Sequence, residues 1–175
     1  MELLARNLHR LVSAMNVLGA IAAILMTTLV FSGAVMRYMF GAPLRFSDEL
    51  VGLLFVSMAF LALPLGLLQR QHITINIVTR TLSGPWRRLA DLVAVLILIT
   101  FSTAFIVVSY KFASFSFLID SRSEIGALLL WPWMAVMPLC MTIALLVALV
   151  QLYDIVRQIL GKPPLLETHA ADPVP

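Results

Sequence analysis

Charge is what this chain has least of. Asp, Glu, Lys and Arg make up 12% of its 175 residues, and 61% are hydrophobic. A soluble domain carries about a quarter charged residues, so a water-soluble fold is excluded. Cysteine is nearly absent too. Cys140 stands alone, which excludes an intramolecular disulfide or a thiolate metal cluster and leaves that residue to fill space in a span. The sequence has no paired histidines placed for haem, no Cys-x-x-Cys and no metal-ligand spacing. No metal and no cofactor are therefore expected in this chain, and no enzyme.

The missing charges are missing in blocks. Residues 11–36, 50–69, 92–110 and 125–153 contain none. About 20 apolar residues suffice for a helix to cross roughly 30 Å of hydrocarbon. The expected fold is an all-α integral membrane protein with four transmembrane helices. Its membrane domain takes residues 1–160, with spans at about 11–36, 48–69, 89–119 and 125–155. The Pro- and Ala-bearing tail, 161–175, is expected to be a disordered cytoplasmic extension.

The net charge of +3 is a topology signal rather than a nucleic-acid footprint. Arg6, Arg10, Arg70, Arg80, Arg87, Arg88, Arg157 and Lys162 fall on one side of the spans. Arg37, Arg45, Lys111 and Arg122 fall on the other, balanced by Asp48, Glu49, Asp120 and Glu124. The positive-inside rule then puts both termini in the cytoplasm. The first span is read as an uncleaved signal anchor, since its apolar run is about twice a secretory h-region.

Between spans one and two lies RYMFGAPLRFSDEL, a tight outer hairpin. Gly41-Ala42-Pro43 breaks the helix, Ser47 is a suitable N-cap, and Asp48 and Glu49 suit the first turn of span two. The hairpin brings Arg37 and Glu49 to one membrane level, and an Arg37–Glu49 pair is expected there. Between spans two and three, Ile73, Ile75 and Ile77 alternate as in a strand. An isolated strand would leave its backbone unpaired at the membrane, so a short interfacial amphipathic helix is expected, with Ile75, Val78 and Leu82 toward lipid. Trp86, Arg87 and Arg88 anchor the start of span three at headgroup level. Trp131 and Trp133 form an aromatic belt at the start of span four, whose outer half Pro132 and Pro138 should make irregular.

A solute or ion path at the midplane usually needs an ionisable residue facing the bundle interior. The spans offer hydroxyls and Asn16 instead. An autonomous four-helix exporter would want a membrane-embedded acid in its first span, and a cytochrome or membrane enzyme would want ligands or nucleophiles. The polar information lies at the ends, as in a subunit of a larger complex.

The order of features resembles the small membrane subunit of tripartite ATP-independent periplasmic (TRAP) transporters, the DctQ-like family. The matching residues are Arg37-Tyr38, Phe40, Pro43, Ser47, Glu49 and Leu50 at the hairpin, and Phe60-Leu61 in span two. His72-Ile73, Pro85, Arg87, Arg88, Pro132-Trp133 and Pro138 complete the set. The chain departs at Phe46, where Trp is common, and at Asn76, where Asp often follows the His-Ile pair. The resemblance implies a bacterial inner-membrane scaffold that braces a large transport subunit and helps dock a periplasmic solute-binding protein. Sodium coupling and uptake of a small organic acid would belong to the large subunit. It also implies a docking hairpin at Arg37, Asp48 and Glu49, with Tyr38, Phe40, Pro43, His72, Trp131 and Trp133 as partner-interface candidates.

Overall fold

The computed structural model describes residues 2–42, 44–68 and 85–159. Four helices account for nearly all of them: α1 (Glu2–Met39), α2 (Ser47–Leu68), α3 (Pro85–Leu118) and α4 (Trp131–Ile159). Each is long and apolar enough to cross a membrane. Helices are what such sequence must form in lipid, because no water is there to satisfy an open backbone. The expected interfacial helix and the expected tail, like Pro43 and His72, lie outside the described residues.

The helix ends are built locally. After α1, Gly41 takes the left-handed φ of 63°, and the Ala42 N–H returns to the Met36 carbonyl at 3.1 Å. Asp120 does the same after α3 with φ of 47°. There the N–H groups of Ser121 and Asp120 donate to the carbonyls of Ser116 and Phe117, the two bonds of a Schellman ending. At the start of α2 the expected cap is corrected. The Ser47 hydroxyl donates backward to the Leu44 carbonyl at 2.8 Å, and the Phe46 carbonyl accepts the first helical bond, from Leu50. Helix α4 begins at Trp131, not at 125, and Pro132 falls in its first turn, where a missing N–H costs nothing. Pro138 sits inside a continuous helix, so the irregular stretch precedes α4 instead of forming its outer half.

Contacts run in the order α1, α2, α4, α3. Along α1 the covered positions are Leu8, Val12, Met15, Gly19 and Ala22, then Met26, Leu29, Gly33 and Met36 less completely. Steps of four and three in alternation give a 3.5-residue period, the seam of a shallow left-handed crossing. Helix α2 answers with Ser47, Leu50, Leu54, Ser57, Leu61 and Pro64. The backbones come close at Gly19, where an added Cβ would stand 3.3 Å from Leu61 Cβ. The core lies toward the N-terminal half of α1: Leu8, Val12, Met15 and Leu67 meet Cys140, Met141, Ala144 and Val147 of α4. Helix α3 turns Val95, Ser102, Ser109, Ala113 and Ser116 inward, and Phe60 of α2 meets Phe105 with ring centroids 5.4 Å apart.

Candidate functional site

Glu49, in the first turn of α2, points its carboxylate at the loop between α3 and α4. That loop is folded around it. The Ser123 hydroxyl donates to Glu49 Oε2 at 2.6 Å, the Gly126 N–H to Oε2 at 2.7 Å, and the Ile125 N–H to Oε1 at 3.0 Å. Ser123 works in both directions, since its oxygen also accepts the Leu128 N–H at 3.0 Å. The loop closes on itself through an antiparallel bridge between Arg122 and Leu129, with Ser123 N–H to the Leu128 carbonyl at 2.9 Å and Leu130 N–H to the Ser121 carbonyl at 3.0 Å. Charge-assisted bonds of this kind are the strong ones, and three of them fix one carboxylate.

Only glycine fits at position 126. A Cβ there would lie 2.9 Å from Phe46 Cβ and 3.0 Å from Glu49 Oε2. The close approach lets the loop's backbone reach the carboxylate at all. The first hairpin (α1–α2) and the second (α3–α4) are thus tied at their loop ends, the rim of the bundle, by Glu49, with Arg45, Phe46, Glu124 and Ile125 exposed around the tie.

This geometry revises the expected pairing. Glu49 is held by Ser123, Ile125 and Gly126, while Arg37 approaches Asp48 at 3.8 Å in a contact 57% and 81% exposed on its two sides. Arg37 and Glu49 share the rim and not a bond. Tyr38 and Phe40 are exposed, at 83% and 69%. Trp131 is half-buried and edge-on to Phe117, centroids 5.3 Å apart at 84°, and Trp133 is half-buried two residues on. Trp86, Arg87 and Arg88 fall in the first turn of α3.

Sequence reasoning missed the residues that receive Glu49. Ser123 and Gly126 flank an apolar run that hydropathy assigns to span four, and the only local signal was a Ser and a Gly bracketing Glu124-Ile125. It also missed a joint at the opposite end of the bundle. Gln151 of α4 is buried and its Nε2 donates to the Leu67 carbonyl at 2.5 Å, one turn before the fully buried Asp154. The hydroxyls of Thr27, Thr28, Ser57, Thr100, Thr103, Ser109 and Thr142 all donate to carbonyls one turn back on their own helices. They do not converge on a shared point. The chemistry on offer is mostly that of a joint, with the buried hydroxyls of Ser102 and Ser116 left without a hydrogen-bond partner and no nucleophile beside a base among the described residues.

Comparison with known proteins bears on this arrangement. The family model described as "Tripartite ATP-independent periplasmic transporters, DctQ component" matches residues 26–159. That stretch holds the outer hairpin, both clasped segments and the whole of α2, α3 and α4. The "Putative TRAP transporter small permease protein" of Haemophilus influenzae is 31% identical over 81 residues, 46% of this chain and 49% of the relative. The match spans about half the length of that curated relative.

Proposed function

The chain belongs to the DctQ component family of tripartite ATP-independent periplasmic transporters, and from that premise we propose that it is the small scaffold subunit of such a transporter. In this reading it braces a large membrane subunit that carries the solute, and its outer rim helps dock a periplasmic solute-binding protein. The cargo is a small organic acid and the coupling ion sodium, both handled by the large subunit. Both termini and the connection between α2 and α3 face the cytoplasm, as the basic bias implies.

The observation that carries the scaffold role is the clasp on Glu49. A carboxylate held by three donors across two hairpins makes a fixed joint, where a moving carrier would need partners that exchange. Seven of the span hydroxyls add support, being bonded to their own helix backbones instead of to a solute.

The test is affinity purification of the tagged chain in mild detergent from cells that also express the large subunit, followed by reconstitution. The pair, with the binding protein added, should take up an organic acid when sodium is supplied, and the chain alone should take up none. Sodium-driven uptake by the isolated chain, or a chain that purifies without a large membrane partner, would sink the reading.

A further inference from the structure

Helix α3 stands at one end of the helix order and is covered on one side by α4. Its other side exposes Val93, Ile97, Thr100, Ala104, Val107 and Lys111, which alternate in steps of four and three and so share one face. Two shallow, widely open grooves adjoin along it, lined by side chains of α3 alone, with the short Thr100, Thr103 and Ala104 among them. Thr100 and Thr103 donate to Leu96 and Ile99, so the floor presents methyl groups and no free donor.

Lys111 ends this face, and its depth is unusual. Phe60 and Phe105 are in contact and mark one level. From that level Glu49 lies eleven residues outward along α2 and Lys111 six along α3, which sets Lys111 about 7 Å deeper than Glu49. The contact of Phe117 with Trp131 gives an independent measure, about 9 Å beneath that pair. The lysine makes no ion pair or side-chain hydrogen bond among the described residues. Phe115 and Leu118, both exposed, flank it on the outward side. An ammonium among apolar groups at that depth is costly unless its stem carries it to the headgroup level or an opposite charge meets it, and an opposite charge also fixes its position. The exposed side of α1 offers a contrast: Leu18, Ile21, Leu25 and Phe31 are exposed there with no charge among them, a surface that lipid tails cover without any partner.

We propose that the grooved face of α3 is where a transmembrane helix of the large membrane subunit packs, its side chains entering the grooves and a carboxylate on it meeting Lys111. This rests on the reading of the chain as a subunit of such a transporter. Side chains of another helix fit a floor of threonine and alanine because short residues let two helices approach closely. The carboxylate supplies what Lys111 lacks among the described residues.

The test uses the full chain co-expressed with the large subunit, with a photo-crosslinking residue placed singly at Ala104, at Val107 or, on α1, at Leu25. Adducts to the large subunit from Ala104 and Val107 but not from Leu25 are expected. Adducts from Leu25 alone would overturn the assignment of the face while leaving the subunit reading intact. A chain that neither crosslinks nor co-purifies would remove both. Lys111→Arg should retain co-purification and Lys111→Glu should lower it tenfold or more. If Lys111→Glu co-purifies normally and loses instead a bound phospholipid seen by native mass spectrometry, the lysine serves a lipid headgroup and the proposal fails. Should Lys111→Glu not insert, the adducts from the otherwise unaltered chain decide.

Discussion

Gly126→Ala is the sharpest perturbation of the outer rim. The added Cβ would meet Phe46 Cβ at 2.9 Å, Glu49 Oε2 at 3.0 Å and Leu128 Cγ at 3.3 Å, whereas carbon atoms rest about 3.5–4.0 Å apart. None of these neighbours can yield freely. Phe46 is held at its Cβ, next to the backbone, and Glu49 is fixed by three donors. Overpacking of this kind costs about 1–3 kcal/mol, and the upper half applies because the 2.7 Å bond from the Gly126 N–H must lengthen as well. Gly52→Ala is the internal control. That residue is exposed in mid-helix with no atom within 4 Å of the new Cβ, so alanine there should be neutral or stabilising by up to about 1 kcal/mol. A gap of about 2–4 kcal/mol between the variants corresponds to a factor of roughly 30 or more in the unfolding equilibrium. Reversible unfolding in mixed micelles, followed by tryptophan fluorescence, measures it. Variants that differ by less than about 0.5 kcal/mol would refute the claim that the loop is packed around the carboxylate, given that overpacking has a floor near 1 kcal/mol.

The same geometry sets three further outcomes. Arg37→Ala should change stability by less than about 1 kcal/mol, its contact with Asp48 being long and exposed; Glu49→Ala should markedly reduce co-purification with the large subunit, and the double variant should show the sum of the two effects, with rescue by the second change arguing for a direct pair after all. Gln151→Leu should destabilise by about 0.5–2 kcal/mol in the same unfolding assay by stranding the Leu67 carbonyl, and no change would mean that this carbonyl finds another donor. Reporter fusions at Gly41 and Gly84 should read opposite sides of the membrane; equal signals at both would refute the four-span topology.

The spans were legible in the sequence because lipid imposes so simple a rule: uncharged runs bounded by Arg, Lys, Asp or Glu become helices. The seam of α1 was present as well, in the alternating small and apolar residues from Leu8 to Met36. Sequence could not separate helix from loop at residues 125–130. Ile125 to Leu130 is as apolar as the opening turns of α4, and only the fold-back through Arg122 and Leu129 distinguishes the two. The partner of Glu49 was hidden for a different reason. Arg37 is near in sequence and of opposite charge, so a local argument selects it, but neutral backbone N–H groups more than seventy residues away bind the carboxylate instead. Short-range patterns carry no record of such a partner. Asp48 and Glu49 look interchangeable as a helix-start pair, and packing alone sends one to solvent and the other into the loop.

The span of that clasp gives the protein a chronology. Gly126 lies 77 residues after Glu49, and at roughly 5–20 residues per second a ribosome needs about 4–15 s to cover that distance. During that interval α2 is completed and can close with α1 along their own seam. The face of α2 that α4 will cover is still bare, and the Glu49 carboxylate still lacks its receiving loop. Closure of the rim therefore comes late in biogenesis. A nascent chain arrested before Ser123 would hold an intact first hairpin whose incompleteness is displayed at one point, an acid at the hairpin's tip with nothing yet made to bind it.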